Sequence, residues 1–156
     1  MGKVIIAPSN FSLGVSSMSG ILLVRDIMTR NVKTVRTDDS VLSVVRKMNK
    51  FRIGSLIVTN NGRPVGIITE RDILEKIVEQ RLDPEAILAR HIMSSPLITI
   101  DPNTPVEDAA RLMAEKQIKR LAVVEDDRLV GIVSSTDIMR ASPTHISILE
   151  ELLRVE

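Results

Sequence analysis

Hydrophobic and polar positions follow the same order twice along this chain, at a shift of 65 residues. Short runs of β-branched residues, typical of strands, alternate with stretches whose apolar residues recur every three or four positions, typical of helices. The predicted strands are, in chain order, Val32–Arg36, Ser55–Thr59, Pro64–Thr69, Leu97–Ile100, Leu121–Glu125 and Leu129–Ser134. Each half therefore predicts the order β-α-β-β-α, and the fold class is α/β of the α+β kind, with one structural unit used twice.

The helical stretches and the turns carry their own signals. One apolar stripe per helix is formed by Val41, Val44, Val45 and Met48, by Ile73, Leu74, Ile77 and Val78, and by Val106, Ala109, Ala110 and Met113. Thr104 is the predicted N-cap of the last of these helices, with Pro105 at its first position and Glu107 completing a capping box. Polar turns at 60–62 and 126–128 predict two hairpins.

The segments outside the repeats complete the predicted organisation. We expect an N-terminal arm over 1–20, a first repeat over 21–82, a linker helix over 83–90, a second repeat over 91–141 and a C-terminal helix over 142–156. The apolar run Ile21–Val24 is too short to span a bilayer, and residues 1–20 lack the order of a signal peptide. We therefore expect a cytoplasmic protein with no membrane association.

Composition excludes several classes of function. The chain has no cysteine, which removes disulfides and thiolate chemistry, and its two histidines lie far apart, so we expect no metal site. It has two Phe and neither Trp nor Tyr, which disfavours base-stacking platforms for single-stranded nucleic acid. A formal net charge of +1 gives no general basic field for duplex DNA. Nucleic acid is therefore an unlikely partner.

The segment that carries chemistry is Gly66–Asp72, with its repeat Gly131–Asp137. In both copies a buried strand ends at a hydroxyl residue and a helix begins there. Helix N-termini attract phosphate, and an Asp one turn later accepts hydrogen bonds from ribose hydroxyls. Thr69-x-x-Asp72 and its repeat are also ordinary N-cap patterns, and spacing alone favours capping by about two to one. The two interpretations are compatible within one site.

The repeated pattern of Gly, two aliphatics, Thr or Ser, two variable residues and Asp resembles the signature of cystathionine-β-synthase (CBS) domains. The opening Asp26-Ile-Met-Thr and the threonine of each first strand resemble it as well. The likeness covers about Ile21 to Arg140, and a tandem pair of such domains is called a Bateman module. It implies two repeats packed sheet to sheet with pseudo-twofold symmetry, leaving two clefts.

The resemblance also implies the site residues. By matching position, the ribose acceptors are Asp72 and Asp137, and the hydroxyls that bind phosphate are Thr69, Ser134 and Thr136. The first-strand contacts to the base are Thr34, Val35, Thr99 and Ile100, and the basic contacts are Arg71, Lys119 and Arg120. Arg71 departs from the hydroxyl common at its position, so it either reaches a phosphate or points into solvent. Lys119 and Arg120 are expected to complete the cleft of Asp72, which would then prefer the more phosphorylated ligand.

The sequence thus predicts a regulatory module and not an enzyme. We expect it to bind an adenine nucleotide of the AMP, ADP or ATP class as a regulatory ligand, with no cofactor, to form a homodimer, and to bias an unknown partner protein. One alternative is a structural dimerisation module with empty clefts. The other is a module for another adenosyl ligand, such as S-adenosylmethionine or NADH. A catalytic barrel of about 250 residues has no room in the chain.

Overall fold

The computed structural model describes residues 5–6, 21–141, 150–151 and 154. The predicted N-terminal arm and C-terminal helix lie almost wholly outside these residues. In chain order the elements are β1 (Ile5–Ile6), α1 (Val24–Ile27), β2 (Thr34–Arg36), α2 (Val41–Phe51), β3 (Ser55–Asn60), β4 (Arg63–Thr69), α3 (Glu70–Ile73), which runs into a π-helical turn (Leu74–Val78), α4 (Ala89–Ile92), β5 (Ile98–Ile100), α5 (Val106–Lys116), β6 (Arg120–Glu125), β7 (Arg128–Ser134) and α6 (Ser135–Ala141). The predicted β-α-β-β-α order is confirmed in both repeats.

The chain divides into two compact units. The first unit comprises Met1–Ile5 and Val32–Leu97, and the second comprises Ile6–Asn31 and Ile98–Glu156. One sheet has the strand order β2-β3-β4, and the other has the order β1-β5-β6-β7. In each, the first strand of the repeat runs parallel to the second, and the second pairs with the third as an antiparallel hairpin.

Each unit has its own apolar core, built from the predicted stripes and the alternating strand positions. The first core contains Val35, Val41, Val44, Met48, Leu56, Val58, Ile68, Ile77, Ala89 and Ile92. The second contains Val24, Ile100, Val106, Ala109, Ala110, Met113, Leu121, Val123, Val133 and Ile138. Both cores consist of aliphatic side chains, as the near absence of aromatic residues requires. No helix among the described residues is long and apolar enough to cross a membrane.

The opening segment of each repeat packs in the unit that holds the other repeat's sheet. Ser94, just after α4, exchanges backbone hydrogen bonds with Ile67 of β4, at 2.8 and 3.1 Å. Thr29, just after α1, forms the same pair with Ile132 of β7, at 2.9 and 3.0 Å. The compact units therefore differ from the sequence repeats by an exchange of their opening segments.

Two glycines make this exchange possible. A Cβ atom at Gly66 would lie 2.7 Å from Met93 Sδ, and one at Gly131 would lie 2.5 Å from Met28 Sδ. Real Cβ contacts are not that short, so a side chain at either position would push the methionine and its backbone away from the strand. The glycine of the repeated motif is thus a packing residue, because it lets the other repeat's opening segment approach the strand.

Two local details differ from the sequence expectations. The linker, predicted as a helix over 83–90, forms turns up to Leu88, where an isolated bridge to Ser40 holds the backbone extended, and the helix begins at Ala89. Helix α5 begins one residue later than predicted, so the capping box with Thr104 and Glu107 is absent. The carbonyl oxygen of Thr104 instead accepts from Val24 N at 2.8 Å, and Pro105, with ψ of 141°, is the residue that precedes the helix.

Candidate functional site

The repeated motif lies where the last strand of each hairpin meets the following helix. In the first unit Thr69 ends β4 with extended backbone, and α3 begins at Glu70, whose N–H donates to Gly54 O at 3.1 Å. In the second unit Ser134 ends β7, and α6 begins at Ser135, whose N–H donates to Lys119 O at 2.8 Å. The same backbone contact thus fixes both strand-to-helix corners.

The capping interpretation is correct at both corners. Asp72 Oδ2 accepts from Thr69 N at 2.9 Å and from Thr69 Oγ1 at 3.3 Å, while the same hydroxyl accepts from Asp72 N at 3.4 Å. Asp137 Oδ2 accepts from Ser134 N at 2.8 Å, and Ser134 Oγ accepts from Asp137 N at 3.1 Å. One oxygen of each carboxylate therefore serves the helix, and only Oδ1 remains for other partners.

In the first unit Oδ1 is also occupied. Lys76 Nζ lies 2.9 Å from Asp72 Oδ1 and also donates to Ile92 O at 2.8 Å. Ser94 Oγ donates to the same carboxylate oxygen at 3.2 Å. Asp72 is only 6% exposed. Its charge is therefore neutralised and its hydrogen-bonding capacity is largely used within the unit.

In the second unit the corresponding oxygen has no partner among the residues that the structure describes. The repeat places Ala141 where the first unit has Lys76, and Thr29 where it has Ser94. Asp137 Oδ1 accepts no hydrogen bond from any described residue, and the side chain is only half-buried. Because a carboxylate oxygen has two acceptor positions, Asp137 offers the surface an acceptor pair that Asp72 does not.

A cation accompanies the open carboxylate. Arg120, the first residue of β6, pairs directly with Ser134 in the antiparallel ladder. Side chains at such positions lie on one face of the sheet, with Cβ atoms roughly 5 Å apart. In the first unit the partner of Thr69 at this register is Ser55, which carries no charge. The second unit therefore places Arg120 beside Ser134 in the sheet, and Ser134 is in turn hydrogen-bonded to Asp137.

The other predicted site residues divide into core, surface and intermediate positions. Val35 and Ile100 are 4% exposed and belong to the two cores, so only their backbone is available to a ligand. Thr99 is 1% exposed, and Thr34 is half-buried with its carbonyl oxygen accepting from Lys47 Nζ at 2.5 Å. Thr136 and Lys119 are exposed.

Arg71 is exposed and forms an ion pair on its own helix. Its Nε lies 2.6 Å from Glu75 Oε1 on the same helix, and its side chain is 78% exposed. The exposure and the Glu75 contact agree with the solvent-facing expectation for Arg71, and a contact with phosphate stays a prediction. A surface pair of this kind contributes little to stability, so Arg71 has no structural role that would hold it near a phosphate.

Comparison with known proteins decides the family. The family model described as "CBS domain" matches the chain twice, over residues 24–79 and 89–144. The chain belongs to the CBS domain family. It carries the CBS domain pair that the repeated motif predicts, and its mixed fold of two small sheets and helices is that of CBS-pair structures, so the predicted fold class is confirmed.

Three CBS relatives illustrate the range of the family. The CBS domain-containing protein YhcV of Bacillus subtilis is 35% identical over 115 residues, which cover 74% of this chain and 81% of that protein. The hexameric CBS-CP12 protein from bloom-forming cyanobacteria is similar in structure, with a TM-score of 0.74, 35% identity and coverage of 80% and 70%. The CBS domain pair of protein MJ0100, solved in complex with 5′-methylthioadenosine and S-adenosyl-L-methionine, gives a TM-score of 0.69, 32% identity and coverage of 78% and 95%.

Two residues that matter at the motif were missed by the sequence analysis. Lys76 stands four residues after Asp72 on a predicted helix, a spacing that brings opposite charges together, so a signal for it was present. Ser94 reaches Asp72 only because the opening segment of the second repeat packs against β4. No pattern within the first repeat indicates that contact.

Proposed function

We propose that this CBS domain pair is a non-catalytic regulatory module that binds an adenine nucleotide through Asp137 and thereby biases a partner protein. The observation that carries the proposal is the corner at Ser134. There one oxygen of Asp137 accepts no hydrogen bond from a described residue, a hydroxyl residue ends the strand, and Arg120 pairs with that residue in the ladder. An open carboxylate suits two ribose hydroxyls, and a guanidinium suits a phosphate.

Asp72 takes a lesser part in this proposal. A ribose that replaced Lys76 at Asp72 Oδ1 would have to break an ion pair and leave a buried carboxylate with its neutralising cation removed. Breaking such contacts opposes binding, whereas Asp137 has no comparable contact to break among the described residues. We therefore expect Asp137 to bind the first equivalent of ligand.

The ligand class rests on the chemistry of this corner and on a relative. The MJ0100 pair is described with two adenosine-containing ligands, which supports an adenosyl ligand for this chain as well. S-adenosylmethionine and NADH remain alternatives to AMP, ADP and ATP. Arg120 favours a ligand with phosphate, because a guanidinium attracts phosphate oxygens and gains nothing from the sulfonium of S-adenosylmethionine.

Regulation requires that the ligand favour one arrangement of the protein over another. The proposed means is a homodimer whose arrangement responds to the ligand, and the hexameric state of the cyanobacterial CBS-CP12 protein supports self-association. Leu74 and Val78, 56% and 61% exposed one helical turn apart, provide apolar surface for a second copy.

The first experiment is calorimetric titration of the full chain with AMP, ADP, ATP, S-adenosylmethionine and NADH, together with mass spectrometry of nucleotide released from natively purified protein. We expect AMP, ADP and ATP to bind, with S-adenosylmethionine weaker than each of them. If none of the five binds and no nucleotide co-purifies, the clefts are empty and the structural dimerisation module is correct instead.

A further inference from the structure

A cavity of about 940 Å³ lies in the first unit, at the turn that joins β3 to β4. Three basic side chains, those of Arg63, Arg90 and His91, line it together with the amides of Asn60 and Asn61. None of the described residues that line it is acidic. The cavity therefore combines positive charge with several hydrogen-bond donors.

The backbone holds the two arginines in place. Arg63 is the first residue of β4, directly after a two-residue turn in which both residues have positive φ, and Asn61-Gly62 is the sequence that such a turn favours. Arg90 lies in α4, where its N–H donates to Thr37 O at 3.0 Å. Both arginines are thus anchored by their main chain, while their side chains are exposed.

The two guanidinium groups have no partner among the described residues. Arg63 and Arg90 form no ion pair and donate no side-chain hydrogen bond to any described residue. His91 Nδ1 accepts from Leu88 N at 3.4 Å, which leaves Nε2 as the donor of the neutral ring. Like charges that share a concave surface repel one another, and a bound anion relieves that repulsion.

The second unit supplies an internal comparison. Its matching cavity, of about 660 Å³, carries Arg25 and Arg128 at the positions that correspond to the first unit's two arginines. It also has Glu125 and Asp126 in place of the two asparagines. The second cavity also holds Arg30, so its lining has three arginines and two carboxylates, whereas the lining of the first cavity has two arginines and no carboxylate.

We propose that the cavity of the first unit binds a phosphate group, either inorganic phosphate or the dianion of a phosphomonoester. Two guanidinium groups with an imidazole and amide donors provide the charge-assisted and bidentate hydrogen bonds that a tetrahedral dianion accepts. Arg63 and Thr69 stand at opposite ends of β4, roughly 20 Å apart at about 3.3 Å per residue. The site is therefore separate from the carboxylate of Asp72 and does not depend on the proposed nucleotide function.

The test is a titration of the full chain with inorganic phosphate. Binding is monitored through the backbone amide signals of Asn61, Gly62 and Arg90 in heteronuclear NMR spectra. We expect saturable shifts at these amides that weaken when chloride is added. The double variant Arg63→Ala/Arg90→Ala should lose at least tenfold in affinity, and Asn60→Glu/Asn61→Asp, which imports the acidic residues of the second unit, should do the same. A parallel titration with ribose 5-phosphate distinguishes the sources, since tighter binding of the ester identifies a phosphomonoester site.

The matched control is Arg128→Ala, which removes the corresponding arginine of the second unit and should leave the phosphate response of the first unit unchanged. Unfolding curves of all variants should overlay that of the parent, because the changed side chains are exposed. The proposal is overturned if the parent shows no saturable shift at these amides, if the double arginine variant keeps its affinity, or if Arg128→Ala weakens phosphate as much.

Discussion

Lys76 Nζ lies 2.9 Å from Asp72 Oδ1, and the same position of the second repeat is Ala141. Two copies of one motif therefore hold their carboxylates in different states. Asp72 is buried, capped and paired with a cation, whereas Asp137 is capped but keeps one oxygen open among the described residues. We therefore expect Asp137, rather than Asp72, to accept the ribose hydroxyls.

The Lys76 contact gives the first prediction. Lys76→Ala should lower the free energy of unfolding by about 1–3 kcal/mol, because it leaves a buried carboxylate without one of its partners. The lower half of that range is expected, since the lysine side chain is 39% exposed and water replaces part of its contact. Urea unfolding measures the change, and the same variant should bind AMP more tightly at Asp72 than the parent does.

The second repeat provides the matched control. Ala141→Lys places a lysine four residues after Asp137, the spacing of the first repeat. We expect this variant to lose about tenfold in AMP affinity, since the new ion pair has to be broken before ribose binds. An unchanged affinity in both variants would show that the lysine does not compete with ribose.

The two motif glycines should be sensitive to any side chain. Gly66→Ala and Gly131→Ala should each lower the free energy of unfolding by about 2–3 kcal/mol, the upper part of the range for overpacking, because the new Cβ meets Met93 or Met28. Gly62→Ala is the control: its Cβ meets open space, so only the positive φ of 80° opposes it, at about 1 kcal/mol. Equal losses for Gly66 and Gly62 would contradict the packing role.

Asp108 predicts a dependence of stability on pH. Burial raises the pKa of Asp108 above 3.8, neighbouring Glu107 raises it further, and Arg111 partly opposes the shift. The folded state then binds the proton more tightly than the unfolded state, so this group lowers stability as pH rises from 3.8 through the raised pKa. Asp108→Asn should therefore unfold at a higher temperature than the parent at neutral pH, with the difference shrinking towards about pH 4. A constant difference across this range would contradict the assignment.

Leu74 and Val78 are exposed apolar residues on the π-helical turn after α3, and we expect them to form an interface between two copies of the chain. Val78→Asp should shift a homodimer towards monomer in light scattering at micromolar concentration, because a charge would be buried at the contact. Lys116→Asp, a charge change at an exposed position of α5, is the control and should leave the mass unchanged. A parent that scatters as a monomer would refute the homodimer itself.

Most of the fold could be predicted from the sequence because its signals are local. Alternation in the strands, the stripes of α2 and α5 and the Asn61-Gly62 turn each depend on neighbouring residues. The start of α5 could not be placed in this way. Backbone contacts of Thr104 and Val106 with the distant residues Leu22 and Val24 decide it, and capping patterns do not report such contacts.

The sequence predicted which residues form the site, but it did not predict which of their carboxylate oxygens are already hydrogen-bonded. The motif identifies Thr69, Asp72, Ser134 and Asp137, and its spacing is compatible with both capping and ligand binding. The two aspartates differ because Asp72 contacts Ser94, which comes from the other repeat, and Lys76, which lies next to the motif. The preference of the Asp72 cleft for phosphorylated ligands stays a prediction, and the Lys76 contact opposes ribose binding there.

The central claim is that Asp137 is the principal ribose acceptor. The most direct test is calorimetric AMP affinity in Asp137→Asn and Asp72→Asn, each of which keeps a side-chain oxygen to cap its helix while removing the charge. We predict that Asp137→Asn weakens AMP about ten- to a hundredfold, the loss of a charge-assisted hydrogen bond, and that Asp72→Asn changes it by less than about threefold. Unchanged affinity in folded Asp137→Asn, or a larger loss in Asp72→Asn, would contradict the account.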